Sequence, residues 1–232
     1  MATGDDLTIV LAHGAWADGS SFEKVIRGLR AVGLKSVAAP LPLTSLTDDV
    51  AALERAIDRV AGRVVLVGHG YAGGVIAETR AESVEALVYV AALAPDEGES
   101  VAEAFYRTPP HPKAPKLAPD AHGLIWLPEE AFGAAFAQHA SDEEQGVLFA
   151  VQRPVAVPCV NTKVGRPLWR DRPSWFLLAE DDRMIVHENQ RFMAERMKAR
   201  VRAHPVDHAP IVTAPSAVVD IIREAVADVA SR

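Results

Sequence analysis

The sequence predicts an α/β fold of three layers, in which helices cover both faces of a doubly wound, mostly parallel sheet of about six strands. Short apolar runs alternate with amphipathic helical patterns along most of the chain, which is the order that parallel sheets require. One stretch, 96–172, interrupts this alternation with many prolines and is predicted to be an inserted cap. At 232 residues and 49% hydrophobic content, the chain fits one domain, with 1–95 and 173–232 as its core.

The first half of the core contains four predicted strands and three predicted helices. The strand candidates are short and apolar, as in a parallel sheet whose strands are buried on both faces. The first two helix candidates carry apolar residues every three or four positions, and Gly33 and Gly62 follow them as stops. The predicted strands are Leu7–Ala12, Lys35–Ala39, the run that begins at Val64, and Val84–Val90, and the predicted helices are Phe22–Leu29, Leu46–Val60 and Val75–Arg80.

The cap holds much of the aromatic content of the chain, and most of these rings are expected to pack the cap onto the core. Two short helices are predicted inside it, at Ala131–Ala140 and Ser141–Val151, and no strand suited to a parallel sheet is evident. The alternation resumes with a strand at Ser174–Ala179, a helix around Met193 and a strand at Val201–Val206. A last helix carries one apolar face, made of Val218, Ile222, Val226 and Val229.

Charge and cysteine content exclude several classes of protein. The net charge is −7, and Lys and Arg are scattered without a basic stripe, so no nucleic-acid partner is expected. A single cysteine, Cys159, excludes an intramolecular disulfide framework, and the histidines lack metal-ligand spacing, so we expect neither a metal nor another cofactor. Met1–Asp6 shows no targeting signal and the chain no membrane-spanning run. We therefore expect a cytoplasmic monomer or homodimer that acts on a small molecule and has no membrane partner.

The stretch Val64–Gly74 reads as a buried strand, a sharp turn and the start of a helix, a context that two motifs share. One is the nucleophile turn Gly-x-Ser-x-Gly, and the other is the dinucleotide fingerprint Gly-x-Gly-x-x-Gly. Gly68, Gly70 and Gly73 match the fingerprint literally. The fingerprint, however, belongs after the first strand and needs an acidic residue at the end of the next one, where this chain has no carboxylate before Asp96. Dinucleotide binding is therefore the weaker interpretation.

Three other short segments lie at the ends of predicted strands. His13–Trp16 follows the first strand, Glu180–Met184 follows the strand after the cap, and Asp207–Pro210 follows the last strand. Together with Gly68–Gly74, these segments make the sequence resemble the α/β-hydrolase superfamily over essentially its whole length. It is most similar to the small esterase-like members that are akin to plant methylesterases and hydroxynitrile lyases.

The resemblance implies a role for each matching position. His208 would be the catalytic histidine and Asp182 the acid that orients it, with Asp181 as a close alternative. The backbone N–H groups of Ala15 and Tyr71 would form the oxyanion hole. Trp16 and Trp126 would contact the substrate. The departure from the family pattern is Gly70, which stands where the nucleophilic serine would be.

The glycine at the nucleophile position leaves four hypotheses open. The protein is an esterase-like hydrolase that has lost its nucleophile, or an enzyme that uses His208 and Asp182 as a general base without one. Alternatively, it is a ligand-binding protein without catalysis, or, least favoured, a nucleotide-dependent oxidoreductase. The aromatic cap indicates a compact apolar ester, lactone, ketone or cyanohydrin-like ligand.

Three other polar sites are given structural interpretations. His13 is expected to be a buried ring bonded to the backbone. Asp48 and Asp49 are interpreted as a solvated helix face or as helix caps, and Cys159 as a small apolar filler.

Overall fold

A six-stranded sheet forms the centre of the molecule in a computed structural model, which describes residues 7–232. The N-terminal segment Met1–Asp6, interpreted above as lacking a targeting signal, lies outside the described residues. All pairings in this sheet are parallel, and the strand order is β2-β1-β3-β4-β7-β8. The strands of this sheet are β1 (Leu7–Ala12), β2 (Lys35–Ala39), β3 (Arg63–His69), β4 (Val84–Val90), β7 (Ser174–Ala179) and β8 (Arg200–His204).

Helices cover both faces of the sheet, which confirms the predicted three-layer architecture. The chain runs from β1 to β2 on one side of the sheet and then to β3, β4, β7 and β8 on the other side. Because crossovers between parallel strands are right-handed, this reversal places α1 on one face and α2, α3 and α8 on the other. The C-terminal helix α10 packs against α1 and so belongs to the first face. The helices of the core are α1 (Glu23–Ala31), α2 (Leu46–Asp58), α3 (Ala72–Glu78), α8 (His187–Arg196), α9 (Pro210–Thr213) and α10 (Pro215–Ala230).

The hydrophobic core lies along the central strands. Every residue of β1 and β7 is buried, and so are all but one residue in each of β3 and β4. The edge strand β8 is mostly exposed and carries Arg200 and Arg202, which bond to carboxylates of α10. Charged side chains on an edge strand discourage pairing with another sheet. The last strand begins and ends slightly earlier than the predicted Val201–Val206, within the usual uncertainty of strand boundaries.

The segment between β4 and β7 forms the insertion that the sequence predicts as a cap. It contains a two-stranded antiparallel pair, which the sequence analysis did not anticipate because each strand has only two residues. Its elements are α4 (Val101–Phe105), β5 (Leu124–Ile125), α5 (Glu129–Ala131), α6 (Asp142–Val151), β6 (Val155–Ala156) and α7 (Val157–Asn161).

The two helices predicted within the cap have different outcomes. The one at Ser141–Val151 is present as α6, and Ser141 and Glu144 form a capping box at its start. The one at Ala131–Ala140 is replaced by the short α5 and a π-helical turn, Phe132–Phe136. This turn is closed by a bond of 2.7 Å from the Ala137 N–H to the Phe132 carbonyl, and it buries both phenyl rings. Tertiary packing of these rings thus overrides the regular helical pattern.

Candidate active site

A cavity of about 290 Å³ lies between the sheet and the cap. It is at the carboxyl ends of the strands, where ligands bind in open α/β sheets. Residues after β1, β3, β7 and β8 line it from the core, and residues of α4, β5 and α7 line it from the cap. Most of its lining is apolar, including Trp16, Leu93, Phe105, Ile125 and Met184. The cavity therefore suits a compact apolar molecule.

His208 and Asp182 meet at the floor of this cavity, although 26 residues separate them along the chain. Nδ1 of His208 lies 2.9 Å from Oδ2 of Asp182, and both side chains are almost completely buried. Oδ1 of Asp182 accepts bonds from the backbone N–H groups of Met184, at 2.7 Å, and Ile185, at 2.8 Å. A carboxylate surrounded by donors accepts from Nδ1, so a neutral His208 carries its proton there and leaves Nε2 as an acceptor.

Asp181 does not take part in this arrangement. Its side chain is about half exposed and lies 3.8 Å from Nε2 of His139, and its backbone carbonyl accepts a bond from Gln138. Of the two adjacent carboxylates that the sequence left as alternatives, the structure brings Asp182 to the histidine.

Gln190 is a buried neighbour that the sequence analysis missed. Its Nε2 donates to Oδ2 of Asp182 at 2.8 Å and to the carbonyl of Ile185 at 2.7 Å. Its Oε1 accepts from the backbone N–H of Ala179, the last residue of β7, at 3.0 Å. All its polar atoms thus bond to the end of β7 or to the loop after it, which carries Asp182. Because glutamine is common on exposed helix surfaces, the residue type alone does not indicate this role. Only the position of Gln190 on the inner face of α8 does.

Gly70 forms the sharp turn between β3 and α3 with a φ of +55°, in the left-handed region. A Cβ built on Gly70 would lie 3.3 Å from Nε2 of His208, 3.5 Å from its Cε1 and 3.9 Å from Cα of Gly14. The contact with Nε2 is close, so a side chain at this position requires the ring to shift by a few tenths of an ångström. A side chain at this position would therefore point at the imidazole.

Ala15 and Tyr71 line the same cavity as His208. Within residues 7–232, neither of their N–H groups donates to a protein acceptor. The next N–H, that of Trp16, donates to the carbonyl of Arg153 at 3.0 Å, and the Trp16 indole donates to the carbonyl of Ile125 at 2.9 Å. These bonds tie the loop after β1 to the cap.

The expectation that Trp126 lines the ligand cavity is corrected. Its indole is 48% exposed and donates to Asp120 at 3.2 Å on the outside of the cap. Its neighbour in β5, Ile125, lines the cavity instead. Trp126 follows the end of β5 and lies on the outer surface, where the bond to Asp120 holds its indole.

Tyr71 is anchored on its other side by Asp49, which is completely buried. The Tyr71 hydroxyl donates to Oδ2 of Asp49 at 2.7 Å, and the backbone N–H of Leu43 donates to Oδ1 at 2.7 Å. The thiol of Cys159, in α7 of the cap, lies 3.6 Å from Oδ2. Burial raises the pKa of the Asp49 carboxyl, and burial likewise raises the pKa of the Cys159 thiol to about 12. The interpretation of Asp49 as a solvated or capping residue is therefore wrong, because the helix turns it inward.

Two buried histidines support the loops around the cavity. Nε2 of His69 lies 2.7 Å from the backbone carbonyl of His208, and burial lowers the pKa of His69 to about 3. The neutral ring donates through Nε2 and so holds the main chain of His208 in place. Nδ1 of His13 lies 3.0 Å from the Gly14 carbonyl, as expected for a ring bonded to the backbone, and burial lowers its pKa.

The described part of the chain offers neither a metal site nor a membrane-spanning helix. Within residues 7–232, no three His, Cys, Asp or Glu side chains are grouped so that they could hold a metal ion. None of the helices formed by these residues is both long enough and apolar enough to span a membrane.

The comparisons with known proteins agree with this architecture. The sequence profile of the alpha/beta hydrolase family matches residues 9–221, and the chain therefore belongs to that family. No curated protein matches the sequence.

Several solved structures share the fold over nearly their whole length. A polyneuridine aldehyde esterase is 18% identical with a TM-score of 0.81, over 95% of this chain and 99% of the esterase. A pyrethroid hydrolase from Sphingobium faniae is 19% identical with a TM-score of 0.79, over 97% and 100% of the two chains. A methylesterase from Arabidopsis is 16% identical with a TM-score of 0.76, over 95% and 99%. At these identities the similarity establishes the fold.

Proposed function

We propose that this protein is an esterase-like hydrolase scaffold that binds a compact apolar ester or carbonyl compound, with Gly70 at the position of the nucleophile. One observation carries the proposal: a Cβ on Gly70 would lie 3.3 Å from Nε2 of His208. A serine at this position would place its hydroxyl within reach of a base that is already oriented by Asp182. The site therefore has the parts of an acyl-transfer centre, apart from the nucleophilic oxygen.

The other groups take roles that follow from their chemistry. The free N–H groups of Ala15 and Tyr71 would donate to the carbonyl oxygen of the substrate and stabilise negative charge that develops on it. Asp182 would hold the imidazole of His208 in the tautomer that can accept a proton at Nε2, and Gln190 would position Asp182. The solved esterases and hydrolases of the same fold support this assignment.

Without a nucleophile, the turnover of esters is expected to be small. Removal of the serine from a working triad costs on the order of 10⁶ in kcat, and roughly 10³–10⁴ over the reaction in water remains from the other groups. The unmodified chain should therefore be a weak esterase whose scaffold is intact.

The test is the hydrolysis of a panel of short-chain and aryl esters by the unmodified protein and by Gly70→Ser. We expect the serine variant to gain about 100-fold or more in kcat/KM, as a nucleophile beside an oriented base should. Gly70→Ala is the matched control, because it adds the same Cβ without a hydroxyl and should gain nothing. A folded Gly70→Ser protein that hydrolyses no ester in the panel would contradict the proposal.

A second candidate function is general-base catalysis without a protein nucleophile, and one observation favours it. Within residues 7–232, Nε2 of His208 has no hydrogen-bond partner, and Gly70 places no side chain in front of it. A water molecule or a substrate hydroxyl could give its proton to this nitrogen. His208→Ala should then abolish the turnover of the unmodified protein on its substrate, and unchanged turnover would exclude this function.

The remaining two hypotheses are less well supported. Gly73 does not by itself indicate a dinucleotide site, because a Cβ on Gly73 would collide with the carbonyl of Leu93 whether or not a pyrophosphate binds. This glycine therefore has a packing reason within the protein. Binding without catalysis is the function that remains if neither Gly70→Ser nor the unmodified protein turns over any substrate. A cytoplasmic location, a monomeric or homodimeric state and the absence of cofactor and nucleic-acid partners stay predictions.

A further inference from the structure

We propose that the position between Gly70 and Nε2 of His208 is a subsite for a hydrogen-bond donor of the ligand, so that the cavity selects a primary carboxamide over the corresponding ester. This inference rests on the proposed function in using the same cavity and the same N–H groups. It adds a ligand class that an enzyme with a serine at position 70 would not favour.

The tautomer of His208 sets what a ligand must bring to Nε2. Oδ2 of Asp182 lies 2.9 Å from Nδ1 of the ring and also accepts a bond of 2.8 Å from Gln190. An ionised carboxylate has only acceptor atoms, so Nδ1 donates to it. In a neutral imidazole, Nε2 is then an acceptor. Whatever ligand atom lies against Nε2 must therefore bring its own proton.

Two backbone N–H groups are the second feature that a ligand meets in this cavity. Ala15 and Tyr71 line the cavity, and their N–H groups have no acceptor among residues 7–232. A ligand must supply an acceptor there, or two N–H groups lose their hydrogen bonds to water when it binds. A primary carboxamide carries both features on adjacent atoms, since its carbonyl oxygen accepts and its NH₂ group donates.

Gly70 determines how much space lies beside Nε2. A Cβ at this position would lie 3.3 Å from Nε2 and 3.9 Å from Cα of Gly14, so any side chain would occupy the space beside Nε2. Glycine leaves that space to the ligand. An ester placed there would present an alkoxy oxygen, which cannot donate, to a buried acceptor and would leave that acceptor unpaired.

The rest of the ligand would meet a largely apolar lining. The polar atoms of two cavity side chains are already committed, the Trp16 indole to the Ile125 carbonyl and the Tyr71 hydroxyl to Asp49. The remaining lining is largely apolar, and the volume is about 290 Å³. The group attached to the carboxamide should therefore be compact and apolar, and benzamide is a suitable probe.

The experiment measures binding of benzamide and N,N-dimethylbenzamide to the unmodified protein by calorimetry. The two probes share the carbonyl and the ring, but only benzamide has N–H donors. We expect benzamide to bind about 10-fold or more tightly than the dimethyl compound, the ratio expected when one buried acceptor is left unpaired. Methyl benzoate, which also lacks a donor, should bind as weakly as the dimethyl compound.

The variant arm compares Gly70→Ala with Gly33→Ala. Both glycines have positive φ, +55° and +79°, so both substitutions place alanine in an unfavourable backbone conformation. A Cβ on Gly33 would meet no atom within 4 Å, whereas one on Gly70 would occupy the proposed subsite. We expect Gly70→Ala to weaken benzamide binding about 10-fold or more, and Gly33→Ala to leave it unchanged.

Several results would overturn the inference. These are equal affinities for benzamide and its dimethyl form, unchanged binding in Gly70→Ala, no benzamide binding at millimolar concentration, or tighter binding of benzoate than of benzamide, which would indicate an anion site. The probe comparison on the unmodified protein decides the matter even if Gly70→Ala does not fold. If Gly70→Ser hydrolyses esters while benzamide fails, only this inference is lost. If benzamide binds as expected while Gly70→Ser is inert, only the proposed function is lost.

Discussion

Two buried carboxylates, Asp182 and Asp49, lie on either side of the candidate site and differ in what they hold. Asp182 accepts from the ring of His208, which faces the cavity, and from Gln190 and two backbone N–H groups. Asp49 accepts from the hydroxyl of Tyr71, the backbone of Leu43 and the thiol of Cys159. One carboxylate thus orients an imidazole that lines the cavity, and the other holds the side chain of a tyrosine that lines it.

The comparison teaches that burial alone does not define the role of a carboxylate. Each of these buried carboxylates also has an exposed carboxylate next to it in the chain, Asp181 beside Asp182 and Asp48 beside Asp49. In α2, successive residues are about 100° apart around the axis, so Asp48 reaches the solvent side and Asp49 the interior. The partner of the carboxylate, rather than the carboxylate itself, decides whether it acts on the chemistry or on the scaffold.

The largest expected effect is that of Asp182→Asn in the Gly70→Ser background. The amide can donate to Nδ1 and so favour the wrong tautomer of His208, which should lower kcat for esters by about 10⁴-fold. Steady-state kinetics measures this loss. Asp181→Asn is the matched control and should change kcat less than about 3-fold, because its half-exposed carboxylate lies beside His139 and does not contact His208. Equal losses in the two variants would show that Asp181 and Asp182 do not differ in their effect on His208.

Asp49→Ala should mainly affect stability. It leaves the Leu43 N–H and the Tyr71 hydroxyl without their acceptor in the interior, which should lower the free energy of unfolding by about 2–4 kcal/mol. Urea denaturation of the otherwise unmodified protein measures it. Asp48→Ala on the same turn is the control and should cost less than about 1 kcal/mol. A loss for Asp49→Ala as small as that of the control would mean that this carboxylate is not structurally important.

Tyr71→Phe should have a smaller effect, because it removes one of the bonds to Asp49 and keeps the ring. We expect a loss of about 1.5 kcal/mol in the free energy of unfolding, as for a hydrogen bond to a charged group. Combined with Asp49→Ala, the two losses should not add, since they remove the same bond. Tyr106→Phe, at a ring that is 55% exposed, is the control with no expected change. Full additivity would show that the bond does not contribute.

The smallest effect is a difference in pH dependence between Asp49 and Asp48. Burial raises the pKa of Asp49 above its ordinary value of 3.8, so the folded protein binds this proton more tightly than the unfolded chain. The stability of the unmodified protein relative to Asp49→Asn should therefore fall as the pH rises from about 3.8 through the raised pKa. Hydrogen bonds from Ser45 and Thr44 lower the pKa of Asp48. The stability of the unmodified protein relative to Asp48→Asn should therefore fall as the pH decreases through that lowered pKa. Urea denaturation across this pH range tests both signs, and slopes of the same sign would contradict this comparison.

Much of the fold could be predicted because its signals are local. Apolar runs such as Val84–Val90 and the spacing of apolar residues in Leu46–Asp58 reflect the two periodicities of strands and helices, so a linear pattern reveals them. The cap was harder to predict. The π-helical turn at Phe132–Phe136 and the two-residue strands β5 and β6 depend on contacts between distant segments.

The sequence by itself determined the α/β class, the order of the core elements and the short list of residues after the strands, including Gly70, Asp182 and His208. It could do so because the carboxyl ends of parallel strands meet at one edge, so residues that follow them converge. Only the tertiary structure decided between Asp181 and Asp182, turned Trp126 outward and placed Asp49 and Gln190 behind the site. These outcomes depend on the direction in which each side chain points. That direction is set by packing against residues that lie far away in the chain.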